Sequence, residues 1–337
     1  MPTPRRPLTS PRRFLGRTTT MARTTTVAVT LALAVAAPLA ACSSPGATRE
    51  AAEQTTSRLP VAAAFYPLEF VLSQVGGPGV DVHTLTKPGV EPHDLELTAK
   101  DIAELPKMGL VAYVAGFQPA VDAAVAQAAA GAAYDVGAAA GLGASAPATS
   151  PVRPSGSVDE EHGHEGNLHF WLDPIRNAAV GTALAERLAS IDSANAATYR
   201  ANAARFATSM GELDQAYAAG LKTCRTRTLV TGHAAFGFLA ERYGLTELPI
   251  AGLSPDQEPS PRELADIAAT AREQGVTTVF AETLVDPKFA QTIARETGAQ
   301  VAVLDPVEGI TSTSPGQDYR SVMLANLTSL RTGLGCS

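Results

Sequence analysis

Six histidines occur in this chain of 337 residues, and three of them fall within one short stretch, DEEHGHEGNLHFWLDP at 159–174. His162 and His164 stand two apart among acidic residues, and His169 follows at the start of HFWLDP. Imidazole and carboxylate together are the donor set of borderline divalent cations such as Zn²⁺. The other histidines lie apart: His83 in VDVHTLT, His93 in GVEPHDLELT and His233 in TLVTGH. Asp305, in VAVLDP, is a carboxylate at a comparable place. A lone histidine of this kind is more often a surface or capping residue than a ligand. Only a shared location would make these residues a site.

The elements around them supply such a location. From Leu59 to about Ala130 the chain alternates short apolar runs, LPVAAAF and GLVAYVAG, with helical patterns such as PLEFVLSQVG, which starts on Pro67. TAKDIAEL is a short helix with Thr98 as N-cap. Alternation of this kind, with nearly continuous apolar strands, predicts a parallel sheet covered on both faces. Residues 138–168, rich in Ala, Gly, Pro and Ser, read as a loop without enough apolar surface to order itself. Past residue 224 the alternation resumes with RTLVTG, LPIAGLS, VTTVFAE and AQVAVLDP as strands. SPRELADI carries Ser260, Pro261 and Glu263 in the spacing of a capping box. Between the halves, 174–220 reads as helix for about 45 residues, broken once near Asp192 and Ser193. Such a helix would span about 65 Å if straight, which suits a brace between two lobes. The expected fold is therefore α/β: two lobes, each a parallel sheet flanked by helices, bridged by one long α-helix. The lobes are 59–173 and 221–337. In open α/β sheets ligands bind beyond the carboxyl ends of the strands. His93, His169, His233 and Asp305 all lie there, two from each lobe, facing one interlobe cleft. His83, inside a strand pattern, is read as structural or solvent-facing.

The ends of the chain bear on compartment. VAVTLALAVAAPLAA at 27–41, preceded by arginines, has the length of a signal-peptide core and is short for a membrane span. It runs into Leu39-Ala40-Ala41-Cys42, which resembles a bacterial lipobox, with Cys42 the expected lipidation site and 42–58 a tether. A plain secretory signal is the alternative. Met21 is the favoured start, and the arginine pair in SPRRFLG leaves a twin-arginine route open. In an exported protein the remaining pair, Cys224 and Cys336, is most simply a disulfide. The net charge of −7, with no basic face, argues against nucleic acid as a partner.

GVEPHDLELT, HFWLDP, VTGHAAFGFLAERYGL, SPRELADI, VFAETLVDPKFAQTIARETG and VAVLDP together resemble the zinc- and manganese-type solute-binding lipoproteins of bacterial metal ABC importers. The likeness runs over nearly all of the chain after Leu59. It implies that His93, His169, His233 and Asp305 are metal ligands, and that the metal is handed to a membrane permease powered by an ATPase. The manganese-type members carry a carboxylate where this chain has His233, so zinc is the expected ion. The acidic His-rich loop of the zinc-type members is matched by the shorter DEEHGHEG, making His162 and His164 auxiliary capture residues. Glu91 and Glu282 match acidic positions near the cleft, where they would orient ligands rather than bind. A monomer is expected, and a metallochaperone is a further candidate partner. The rival functions are a secreted zinc hydrolase, for which no HExxH motif is present, and an adhesin or chaperone working without a transporter.

Overall fold

The structure, a computed structural model, describes residues 58–143 and 166–337. The signal segment, Cys42, the tether up to residue 57, and His162 and His164 lie outside the described residues. The two lobes belong to one compact unit, Gln54–Ser337.

Each lobe is built on a four-stranded, all-parallel sheet, as expected. In the first lobe β1 (Leu59–Ala63), β2 (Val80–Thr84), β3 (Leu110–Tyr113) and β4 (Ala133–Asp135) stand in the order β2-β1-β3-β4. In the second, β5 (Thr228–Thr231), β6 (Thr246–Pro249), β7 (Thr278–Ala281) and β8 (Gln300–Val303) stand in the order β6-β5-β7-β8. The central strands β5 and β7 are buried at every position, as their unbroken apolar and threonine runs require.

The helices follow their caps. In α1 (Tyr66–Gly76) Leu68, Val71, Leu72 and Val75 recur at helical spacing and face the sheet. Thr98 and Asp101 form a capping box at α2 (Ala99–Glu104), and Ser260 and Glu263 form another at α7 (Pro261–Glu273). The remaining helices of the lobes are α3 (Pro119–Ala124), α6 (Gly237–Tyr243), α8 (Lys288–Thr297) and α9 (Tyr319–Leu334).

The region between the lobes carries the break expected near Asp192 and Ser193, but the chain reverses there instead of running on as one brace over 174–220. It is a hairpin of α4 (Pro174–Ile191) and α5 (Ala196–Gly220). The break falls at Asp192–Asn195, where Asp192 accepts hydrogen bonds from Asn195 Nδ2 and Tyr199 Oη, both at 2.7 Å. Short polar side chains here bond locally and give the backbone an alternative to the helix. The arms run antiparallel. Arg200 pairs with Glu186 at 2.7 Å, and Phe206 fills the space a side chain at Gly181 would need. The longer arm of the brace is α5, about 37 Å long at 1.5 Å per residue, while Arg176 of α4 lies over the Phe238 ring of α6 at 4.4 Å. Asn202 bonds the carbonyl of Val75 in the first lobe at 2.8 Å, and Tyr217 bonds that of Met323 in the second at 2.6 Å.

The main hydrophobic core runs through both lobes, from Val61 and Phe65 through Trp171, Phe206 and Tyr217 to Tyr319 and Leu330. A smaller core lies under α7 and α8. Cys224 and Cys336 form the expected disulfide, and Arg225 N donates to the carbonyl of Leu334 beside it.

Candidate metal centre

His93 lies in a short 3-10 turn, Pro92–Asp94, held from behind by buried polar groups. Gln118, almost wholly buried, donates to the Pro92 carbonyl at 3.0 Å and to Thr86 Oγ1 at 2.9 Å, and Thr86 in turn bonds the Ala64 carbonyl. Glu91 accepts the His93 backbone N–H at 3.1 Å, and the His93 ring lies edge-on to Phe117 with centroids 4.5 Å apart. His169 caps the 3-10 turn Phe170–Leu172. Its backbone N–H and its ring Nδ1 both bond Asn167 Oδ1, each at 2.9 Å. Asn167 is held in turn by donating across the lobes to the Ala234 carbonyl at 3.1 Å. His233 follows β5, its Nδ1 lying 2.8–2.9 Å from the carboxylate oxygens of Glu282, which also accepts the His233 backbone N–H at 2.8 Å. A Cβ at Gly232 would sit 2.2 Å from Glu282 Oε1, so only glycine lets that carboxylate close over the histidine.

In both buried histidines, then, Nδ1 faces an acceptor and carries the proton, which leaves the Nε2 lone pair free to coordinate. The three Nε2 atoms converge. His169 Nε2 lies 3.3 Å from that of His93 and 3.2 Å from that of His233. The fourth group is Glu308, whose Oε1 is 3.6, 2.9 and 3.5 Å from Nε2 of His93, His169 and His233. Zinc with ligand bonds of about 2.0–2.1 Å has tetrahedral edges of about 3.3–3.4 Å, and these five edges scatter around that value. Glu308 is fully buried, and neither of its carboxylate oxygens accepts a hydrogen bond of good geometry. A buried carboxylate left in that condition is costly unless a cation satisfies it. Among the described residues this is the one cluster of four such donors.

Asp305, expected as the carboxylate of the set, is not in it. One of its oxygens accepts from Val307 N at 2.7 Å and the other from Thr283 Oγ1 at 2.9 Å, so both are spent on shaping the turn after β8. That turn delivers Glu308 three residues later. Glu308 also stands beyond the carboxyl end of a strand, so the strand-end rule could have found it in VAVLDPVEGI had it been carried past the proline. Glu91 and Glu282 lie where expected, beside their histidines. His83 is on β2, half-exposed and 3.3 Å from Asp81, away from the cluster.

The protonation pattern follows from burial and charge. Burial lowers His169 to about 4, keeping it neutral at ordinary pH. Burial also pushes against charge on His233, but Glu282 and Glu308 outweigh it and hold this histidine well above its ordinary value. Burial would raise Glu308, yet the three histidines hold it well below the carboxylate range. Burial and Glu308 push Glu91 up to about 8. The metal-free cluster therefore keeps a proton on His233 beside an ionised Glu308.

Residues 61–333 match the family model for ZnuA, the periplasmic component A of a zinc-uptake complex. The chain belongs to this family. Among its ZnuA relatives is the high-affinity zinc uptake system protein ZnuA of Bacillus subtilis, 32% identical over 88% of this chain and 93% of that one. The zinc-binding protein AdcA of Streptococcus pyogenes is 32% identical over 81% of this chain, which spans 56% of AdcA. The chain thus covers about half the length of the streptococcal relatives it matches. Among solved structures, the laminin-binding protein Lmb of Streptococcus agalactiae, described as an adhesin with metal-transporting activity, superposes with a TM-score of 0.69 at 29% identity. That match covers 82% of this chain and 99% of Lmb. The Zn(II)-bound ZnuA-like domain of Streptococcus pneumoniae AdcA gives 0.66 at 29% identity, over 82% of this chain and 99% of that one.

Proposed function

We propose that this ZnuA-family chain is the extracytoplasmic zinc-binding protein of an ABC importer, capturing Zn²⁺ in the interlobe cleft and delivering it to a permease driven by an ATPase. The ligands are His93, His169, His233 and Glu308. The observation that carries the reading is the convergence of three Nε2 atoms on a fully buried carboxylate, at edges of 2.9–3.6 Å. Three neutral imidazoles with one carboxylate favour zinc over the harder Mn²⁺. Zinc is the cargo here. The names of the relatives support the same ion, and the lipoprotein name of the S. pneumoniae AdcA supports anchoring through Cys42. His162 and His164 would add a weak capture step ahead of the main site. A hydrolase would need an open coordination position and a base beside it. Four converging protein donors fill the tetrahedron, so binding rather than catalysis is the favoured role.

Metal analysis of the purified protein, followed by competition against a chromophoric chelator, tests the reading. One tightly held zinc that equimolar Mn²⁺ does not displace is expected. A protein without zinc, binding cations only weakly, would end it.

A further inference from the structure

His169 and Glu308 come from different lobes, and one hydrogen bond joins the short segments that carry them. Trp171, the only tryptophan, is fully buried two residues after His169, with its ring 5.1 Å from the histidine ring. Its indole Nε1–H donates to the Pro306 carbonyl at 2.8 Å, two residues before Glu308. Tyr319 of α9 donates back to the Trp171 carbonyl. The start of the receiving segment is held by further hydrogen bonds. Asn326 of α9 accepts from Asp305 N at 2.9 Å and donates to Asp305 O at 2.7 Å, while the Asp305 side chain takes Val307 N.

Within that frame Val307 has φ +59°, the one non-glycine residue with positive φ among the described residues. A β-branched residue in the left-handed region is strained, and such a conformation persists only where the surroundings over-determine it. Relaxing Val307 would turn the next residue, Glu308, out of the cluster. The strain and the interlobe bond thus act on the same ligand in opposite directions.

From this geometry we propose that Trp171 is a positioning residue for Glu308: its indole N–H ties the lobes at Pro306, holds Val307 in its strained conformation, and so keeps the fourth ligand on the metal. Breaking the tie lets Val307 relax, withdraws Glu308 and leaves three histidines that release zinc quickly. This inference rests on the zinc reading above.

The test follows zinc transfer from the full exported protein to excess chromophoric chelator by stopped flow, for the wild type, Trp171→Phe, and Trp171→Phe with Val307→Gly. Phenylalanine keeps the buried ring and removes the donor, so release should accelerate about tenfold or more. Glycine takes positive φ without strain, so adding Val307→Gly should bring the rate back toward the wild type. A merely structural loss would not be rescued by a substitution that removes packing. Because binding and tie are linked, zinc must in turn strengthen the tie. The single indole N–H signal of ¹⁵N-labelled wild type should therefore exchange with deuterium more slowly with zinc than without, a measurement that needs no mutant to fold. Wild-type release from folded Trp171→Phe, a further loss on adding glycine, or equal indole exchange with and without zinc would each overturn the tie. A wild type that binds no zinc would instead overturn the functional reading.

Discussion

The two lobes share a strand order, β2-β1-β3-β4 against β6-β5-β7-β8, and each brings two donors to the cluster. They hold those donors differently. The first lobe uses neutral partners: the amide of Asn167 behind His169, and the edge of Phe117 beside His93, whose side chain remains 12% exposed. The second lobe uses charge: Glu282 behind His233, and Glu308 itself, all of them buried. A buried ionised group is tolerated only with a compensating partner. The metal-free second lobe finds that partner in a proton on His233, and zinc must replace it. The first lobe thus offers a ready surface for the cation, and the second supplies the negative charge that retains it.

That difference can be broken first at the carboxylates. Glu308→Gln should cost more than about a hundredfold in zinc affinity, exceeding the 10–100-fold typical of groups behind a ligand. Asp305→Asn retains an oxygen to accept Val307 N and should stay within about tenfold of the wild type. Competitive titration of the pair decides which carboxylate binds, and the reverse order would return Asp305 to the ligand set.

Next in size are the groups behind the histidines. Glu282→Gln keeps the shape but removes the charge that makes His233 a strong donor, so affinity should fall about 10–100-fold. Asn167→Ala removes a neutral partner and should fall nearer the lower end. Equal losses would mean that the lobes do not differ in the way described.

Acidity sharpens the comparison further. His233 is held above its ordinary value and so is protonated in the metal-free protein around neutral pH, whereas the zinc form requires it neutral at Nε2. Apparent affinity should therefore fall as pH falls, about tenfold per unit for one displaced proton. His169, lowered to about 4, takes up its own proton only below that pH, where it should steepen the slope further. Calorimetry in buffers of different ionisation enthalpy should show about one proton released per zinc bound near neutral pH.

Much of this could be read before any coordinates. Strand-helix alternation, the N-cap at Thr98 and the capping box at Ser260 are local signals, and local signals survive folding. The strand-end rule places His93, His169 and His233 at one cleft, although only His233 follows its strand directly; His93 sits in the Pro92–Asp94 turn beyond β2, and His169 on the approach to α4. It failed at Asp305 because a turn separates β8 from the cluster. Which of two acids three residues apart faces inward depends on Val307 taking positive φ, a conformation no valine advertises. The break near Asp192 and Ser193 is legible in the sequence, but the reversal of the chain there is not, for a related reason. The hairpin's two arms have the same period, and only the Asp192–Asn195 turn, four residues long, lies between them.

The smallest effect on the metal should come from the disulfide, which lies in the charged lobe but away from its charge. Cys224 and Cys336 close a loop of 112 residues, for which the chain-entropy account gives about 4–5 kcal/mol at most. The bond constrains the end of α9, the helix whose Asn326 and Tyr319 grip the segments bearing Glu308 and His169. Those grips lie about three and about five helical turns before Cys336, and each is made by buried side chains in the continuous core. Reduction should therefore lower the melting temperature of the metal-free protein while leaving zinc affinity within about threefold, since no sulfur joins the cluster and α9 stays seated by packing. Melting curves and competitive titration on the same reduced sample check both halves. A large loss of zinc affinity on reduction would mean that the second lobe holds its carboxylate through the staple rather than through the core.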